Sequence, residues 1–270
     1  MFTAVDAANI YARVLAWWAQ QQDLVDAFGD GADVYSEFSA ETFGEEVRKP
    51  KAEDPKPAAI RFKLLRNVGK ITVLGLGYSM GAPKFEKNLR ASPDVNPLFQ
   101  SGELDTAKCE DIVAQYRKKY AKIPQLWYNV ERAFFKAAAG TQRMVNGVLF
   151  SPSTRKGRRC VSITLPSGRV LNYPNVRVGE HQGGREQWVY GHGKGKKLYG
   201  GLLVENVVQA ISRDILAEGV WAMEAEGYEV AYHVHDSIVC AVPKSKAKKC
   251  MEFCIDVLSA APEWGAGMRL

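Results

Sequence analysis

Between Arg66 and Gly81 the chain reads RNVGKITVLGLGYSMG, and Arg66, Lys70, Leu74 and Tyr78 recur at a fixed step of four. An α-helix turns about 100° per residue, so a step of four drifts by only about 40° and these side chains form one slowly winding stripe. Two cations occupy its first two turns, an apolar residue the third and a Tyr the fourth. Such a face suits a ligand that is polyanionic at one end and flat and apolar at the other, as a nucleoside triphosphate is. The same spacing describes an amphipathic core helix with two solvated cations. Gly69, Gly75 and Gly77 weigh against that plainer reading, since each Gly costs roughly 1 kcal/mol relative to Ala in a helix interior. Something there requires a bare backbone.

The rest of the chain reads as a mixture of helices and strands. MFTAVD (residues 1–6) is a short strand ending on Asp6; helices are expected at Tyr11–Gln21, Asp23–Phe28 and Asp33–Phe43. Residues 45–57, with three Pro and a dense mix of charges, read as a solvated connector. The stripe helix starts near Ala58, and Ser92–Gly102 reads as loop. Helices follow at Asp105–Lys122 and Pro124–Ala139, the second with Pro in its first turn, where a missing N–H costs nothing. From Val145 to Tyr190 the β-branched alternation around Pro166-Ser167-Gly168 signals hairpins, with a basic cluster at Arg155, Lys156, Arg158 and Arg159. A long helix at Lys197–Glu226 precedes two apolar strands, Tyr228–Val234 and Ile238–Val242, on either side of a tight His235-Asp236-Ser237 turn. A last helix covers Lys244–Ala260.

At 270 residues, with a net charge of +6 and a pI near 9.0, the chain can bury a large core and mildly favours a polyanionic partner. No apolar run approaches the roughly 20 residues that span a bilayer, and no signal peptide stands at the N-terminus. The expectation is no membrane and a cytoplasmic location. The five Cys form no CxxC pair and read as buried, reduced thiols.

Three stretches, in order, resemble the motifs of family A DNA polymerases of the phage and bacterial polymerase I type. VDAANIYAR, with Asp6 at a strand end, resembles the palm motif that holds the catalytic metals. The Arg66–Tyr78 stripe resembles the fingers helix. Val234-His235-Asp236-Ser237 resembles the hairpin that presents the second metal-binding aspartate. LAWWAQQQDLVDAFGDGADVYSEFSAETFG and LYGGLLVENVVQAISRDILAEG are similar to the blocks around them. The resemblance covers most of residues 4–242.

What it implies is an α+β fold, an antiparallel palm sheet backed by long helices plus a mainly helical fingers subdomain. The expected divisions are palm at residues 1–44, fingers at 45–145 and palm again at 146–270. Asp6, Ala7 and Asp236 would bind two Mg²⁺ ions, with Asp6 and Asp236 catalytic. Mg²⁺ prefers hard oxygen ligands and keeps several waters, so two carboxylates plus substrate phosphates suffice. Paired carboxylates repel without a cation, so raised pKa values are expected. Arg66 and Lys70 would grip the phosphates of a dNTP, Leu74 and Tyr78 would face its sugar and base, and Tyr11 and Tyr35 would lie nearby. Asn206, Gln209 and His235 would contact primer–template DNA.

Tyr11 stands where the family usually has Glu, Ser237 replaces the usual Glu, and Leu74 replaces Phe or Tyr. These departures keep an RNA polymerase or primase-like activity open, and a non-catalytic DNA-binding scaffold is the alternative from another class. Because only a few residues precede Asp6, a second polypeptide supplying thumb and exonuclease is expected.

Overall fold

The computed structural model describes residues 1–180 and 186–270. The part of the expected Val145–Tyr190 β-region at residues 181–185 lies outside the described residues. In chain order the elements are β1 (Phe2–Asp6), α1 (Ile10–Ala19), α2 (Gln22–Gly29), α3 (Val34–Phe43), α4 (Lys56–Leu76), α5 (Ala82–Ala91), α6 (Asn96–Gln100), α7 (Thr106–Lys119) and α8 (Lys122–Ala138). Then come β2 (Arg143–Val145), β3 (Val148–Arg155), β4 (Arg158–Thr164), β5 (Val170–Pro174), β6 (Arg177–Glu180), β7 (Glu186–Tyr190), β8 (Lys196–Lys197), α9 (Gly200–Ala225), β9 (Glu229–Val234), β10 (Ser237–Ala241) and α10 (Ala247–Ser259). Two compact units result, Met1–Trp18 with Leu126–Leu270, and Ala19–Gln125. The α+β class expected from the sequence is the class observed.

In the first unit β1, β10 and β9 form an antiparallel sheet in that order. Phe2 pairs with Ala241 and Asp6 with Ser237, so β1 and β10 run their full lengths together. Leu216 and Met223 of α9, Ile238 and Cys240 of β10, and Cys250, Cys254 and Leu258 of α10 make one apolar cluster behind this sheet. All five Cys are buried and unbridged; burial, then the neighbouring Cys250, pushes the Cys240 thiol up to about 12. A buried thiol held this far from ionisation is a packing residue, as expected.

Two further antiparallel sheets, β2-β3-β4-β5 and β6-β7-β8, fill the segment between α8 and α9. Arg169 ties the first of these to α9, donating to Asp214 Oδ1 at 2.5 Å and to the Ala210 carbonyl at 2.6 Å. At Gly200 a Cβ would stand 2.2 Å from the Trp127 carbonyl oxygen, so only Gly lets α9 begin so close to α8.

The second unit is built from α2 to α7. Its buried residues on α4, namely Leu65, Val68, Gly69, Thr72, Val73 and Leu76, follow the three-and-four spacing of one helical face. Gly69 explains part of the glycine excess noted above. A Cβ there would meet the Tyr35 carbonyl oxygen of α3 at 2.0 Å and Ser39 Oγ at 2.7 Å. Ser39 Oγ in turn donates to the Leu65 carbonyl at 2.6 Å. Within the segment expected as loop, residues 96–100 form α6, because Pro97 sits in its first turn and Leu98 is buried. Residues 82–91, unassigned above, form α5 around the buried Phe85 and Leu89.

Candidate active site

In the first unit two carboxylates meet. Asp6 closes β1 opposite Ser237, and Asp236 occupies the turn one residue earlier, between Val234 and Ser237 of the paired strands. His235, the other turn residue, has φ 54°, a left-handed conformation for which His is among the better-tolerated non-Gly residues. The turn is locked to β1: Ala7 N donates to the Asp236 carbonyl at 3.0 Å, and Ser237 Oγ donates to Asp6 Oδ1 at 2.8 Å.

Asp6 and Asp236 stand close enough for the Asp6 carboxyl to act on that of Asp236. Burial pushes the Asp236 carboxyl above the usual carboxylate range, the hydrogen bond and charge of Asp6 push it further, and His235 opposes the shift. Asp6 is exposed and Asp236 half-buried, so the pair remains within reach of solutes.

A cavity of about 40 Å³ beside Asp236 is lined by Ala7, Tyr11, Gln209, Arg213 and His235, among others. The structure therefore gathers Asp6, Ala7, Tyr11, Gln209, His235 and Asp236 of the predicted residues around one point. Asn206 stands apart from this lining: its Nδ2 donates to the Tyr173 hydroxyl at 2.8 Å. Arg213 was missed from the sequence, although it lies four residues beyond Gln209 on the same helix and so on the same face. Its Nη2 lies 3.4 Å from His233 Nε2.

Arg66, Lys70, Leu74, Tyr78 and Tyr35 belong to the second unit. Lys70 is exposed, Arg66, Leu74 and Tyr78 are half-buried and Tyr35 is buried. Arg66, Lys70 and Leu74 share the flank of α4 beside its buried face. Tyr78, expected on the fourth turn, follows the helix instead, because α4 ends at Leu76 with Gly77 as its C-cap.

Arg66 has a partner that the sequence did not reveal. Its Nε donates to Asp33 Oδ2 at 2.6 Å and its Nη2 to Asp33 Oδ1 at 3.1 Å. The guanidinium carbon lies 5.4 Å from the centre of the Tyr35 ring, within cation–π range. Asp33 is the N-cap of α3 yet caps no backbone N–H with its side chain; its carboxylate also accepts from Ser36 Oγ at 2.8 Å. Burial raises the Asp33 pKa, but the hydrogen bonds from Arg66 and Ser36 outweigh it and hold the group below its ordinary value.

Among the described residues no group of three or more His, Cys, Asp or Glu could hold a metal ion, so the acidic donors at the Asp6–Asp236 point are those two. No helix among the described residues is long and apolar enough to cross a membrane.

No protein-family model matches the chain. Over its whole length it is 30% identical, across 283 aligned residues, to a DNA polymerase of Bacillus phage SP02, of which it spans 39%. Over 85 residues, 32% of the chain, it is 34% identical to DNA polymerase I of Helicobacter pylori strain J99, of which that stretch is 8%. Among solved structures, the POL domain of Pol1 from M. smegmatis in complex with DNA primer-template and dNTP superposes with a TM-score of 0.53 at 15% identity. That match covers 96% of this chain and 36% of the other. At so low an identity it establishes the fold: that of a polymerase domain. The chain is thus similar over its whole length to part of a phage DNA polymerase, spans well under half of that relative, and has the fold of a polymerase domain.

Proposed function

We propose that this chain, as a palm and fingers portion of a family A DNA polymerase, extends a primer 3′ end by template-directed transfer of nucleotides from dNTPs. The observation that carries the proposal is the meeting of Asp6 and Asp236 at the joined ends of β1 and the β9–β10 hairpin. The metal ions that the resemblance implies fit this donor set. Two hard carboxylate groups stand together; burial first, and then the neighbouring Asp6, raises the Asp236 pKa, and a divalent cation would relieve the part that comes from Asp6. Asp6 and Asp236, with Ala7 beside them, would hold Mg²⁺, which supplies charge stabilisation for the attacking and leaving oxygens.

The protein's own groups do the rest. Ser237 Oγ holds the Asp6 carboxylate, and the Ala7 N–H holds the backbone carbonyl of Asp236, against the end of the sheet. Tyr11 and Gln209 shape the space beside Asp236. In the second unit Arg66 and Lys70 carry the positive charge that a triphosphate needs, and Asp33 orients the Arg66 fork so that its remaining N–H groups stay available. We assign the fingers role to this second unit. It differs from the 45–145 segment expected from the sequence at both ends: it takes in α2 and α3, because α3 packs directly on α4 at Gly69, and residues 126–145 group with the first unit instead. The Leu74 and Tyr78 contacts to the nucleotide, and those of Asn206 and His235 to DNA, remain part of the same proposal.

The test is primer extension with Mg²⁺ and dNTPs. Asp236→Asn should lower the rate roughly 10²–10⁴-fold, because metal-stabilised charge is worth several kcal/mol. It should leave the thermal midpoint unchanged or raised, since a repulsive pair is removed. Extension at the wild-type rate would overturn the assignment. Running the assay with NTPs in place of dNTPs decides between DNA synthesis and the RNA polymerase or primase-like alternative. The second polypeptide expected from the sequence is also a proposal: vigorous processive synthesis by the 270-residue chain alone would refute it.

A further inference from the structure

A cavity of about 510 Å³ opens where the β2–β5 and β6–β8 sheets adjoin, lined by Arg155, Lys156, Arg158, Pro174, Asn175 and His192. Among the described residues that line it, three are cations, one is His and none is acidic. Arg155, Lys156, Arg158 and the adjacent Arg159 are exposed, and among the described residues none of the four forms a salt bridge. They surround the tight β3–β4 turn, where Arg155 pairs with Arg158 and Lys156 has φ 51°. Four like charges on one turn repel, and in a hairpin serving only as structure nothing compensates for that repulsion.

The floor of this cavity is braced. Asn175 Nδ2 donates to the Gly191 carbonyl at 2.8 Å, and Gly191 N donates to the Pro174 carbonyl at 2.8 Å. Arg177 reaches three carbonyls at once, those of Asn175, Gly191 and Gly193, at 3.1, 2.8 and 2.5 Å. One guanidinium thus fixes the β5–β6 and β7–β8 connections together beneath the free cations. The same β5 strand is tied to α9 by the Tyr173–Asn206 hydrogen bond, immediately before Pro174. The helix whose Gln209 and Arg213 line the Asp236 cavity therefore also anchors the basic cavity.

We propose that this cavity and the β3–β4 turn bind the phosphodiester backbone of the primer–template, a polyanion contact separate from the carboxylate pair. The proposal rests on the polymerase reading above. A DNA strand, rather than a free nucleotide, is the occupant that uses the whole row, because Arg159 and the turn extend the charge beyond the cavity itself. Contacts of this kind are blind to sequence and set register and affinity.

The test measures the affinity of the full chain for a labelled primer–template from 50 to 300 mM salt. Each phosphate contact contributes about 0.9 to the slope of log K against log salt on duplex DNA. The triple variant Arg155→Gln, Lys156→Gln, Arg158→Gln should therefore flatten that slope by about 2.7, with the rate on saturating DNA unchanged. If the triple variant folds poorly by circular dichroism, the three single variants should each flatten it by about 0.9. An unchanged slope in folded variants overturns the inference even if the wild-type chain extends primers. So does a rise in the KM for dNTP with DNA binding intact, which would make the occupant a free triphosphate. Should the wild-type chain bind DNA with this dependence yet fail to extend it, the inference stands and the reading of this chain as a polymerase active on its own falls.

Discussion

Arg66 shows how one side chain can be placed on its helix from the sequence while its partner is missed. Its place at a four-residue step from Lys70 is visible in the sequence; its partner Asp33, on another helix, is not. An Asp ahead of a helix is expected to cap it, and only the structure shows the carboxylate turned to Arg66 and Ser36 instead. If Asp33 orients the fork, Asp33→Asn should raise the KM for dNTP about tenfold, the equivalent of about 1.4 kcal/mol of lost charge-assisted hydrogen bonding, with kcat little changed. In an Arg66→Lys background the same substitution should have almost no further effect, because the coupling runs through the guanidinium. Additive losses in that cycle would show that Asp33 acts only on stability. Tyr11 makes a second case. It lines the cavity beside Asp236 and is 36% exposed; on the proposed function its ring would limit the room for a ribose 2′-hydroxyl. Tyr11→Ala should reduce the preference for dNTP over NTP by about tenfold, within what one steric contact supplies; an unchanged ratio of kcat/KM values would remove Tyr11 from sugar selection.

At the level of elements, α4 depends on the absence of a single atom. A Cβ at Gly69 would sit 2.0 Å from the Tyr35 carbonyl oxygen, against backbone that cannot rotate away. Gly69→Ala should destabilise the protein by about 1–3 kcal/mol in urea unfolding, the range for overpacking, despite the gain in helix propensity of roughly 1 kcal/mol. A neutral or stabilising result would mean that α3 and α4 separate easily. The sequence exposed this need for a bare backbone without saying what required it, because the contact joins residues far apart in the chain. Long elements with strong periodicity, such as α4, α9 and the β9–β10 hairpin, were legible from their apolar spacing. Short ones were not: α6 has five residues, too few to show a helical period, and its single buried Leu98 resembles any loop anchor. The two aspartates were legible for a different reason. The resemblance singled them out, and β pairing at fixed register brings the end of β1, at Asp6, to the β9–β10 turn that carries Asp236.

Across the whole molecule, acid should act unevenly. The carboxylates that the structure holds below their ordinary values are Asp33, Glu45 and Asp54, the last to about 2, and all three lie in the Ala19–Gln125 unit. For Asp33, burial works against the shift and the Arg66 and Ser36 hydrogen bonds win; for Glu45 and Asp54 the largest influence is the hydrogen bond from Arg61 or Arg48. A carboxylate with a depressed folded-state pKa adds stability above its unfolded value, near 4, and loses it as pH falls through the folded value. Stability of the helical unit should therefore fall from about pH 4 towards pH 2. The six Trp, at 17, 18, 127, 188, 221 and 264, all belong to the other unit, so their emission reports that unit alone. On acid titration at low salt, loss of far-UV helical signal should begin at a higher pH than the red shift of Trp emission. Repeating the titration with Arg48→Gln and Arg61→Gln should bring the two transitions closer, since two of the three pairs that give the helical unit its acid dependence are then absent and only Asp33 with Arg66 remains. Coincident transitions in the unaltered protein, the signature of a single cooperative step, would show instead that the two units share one unfolding equilibrium and that these ion pairs do not set where acid denaturation starts.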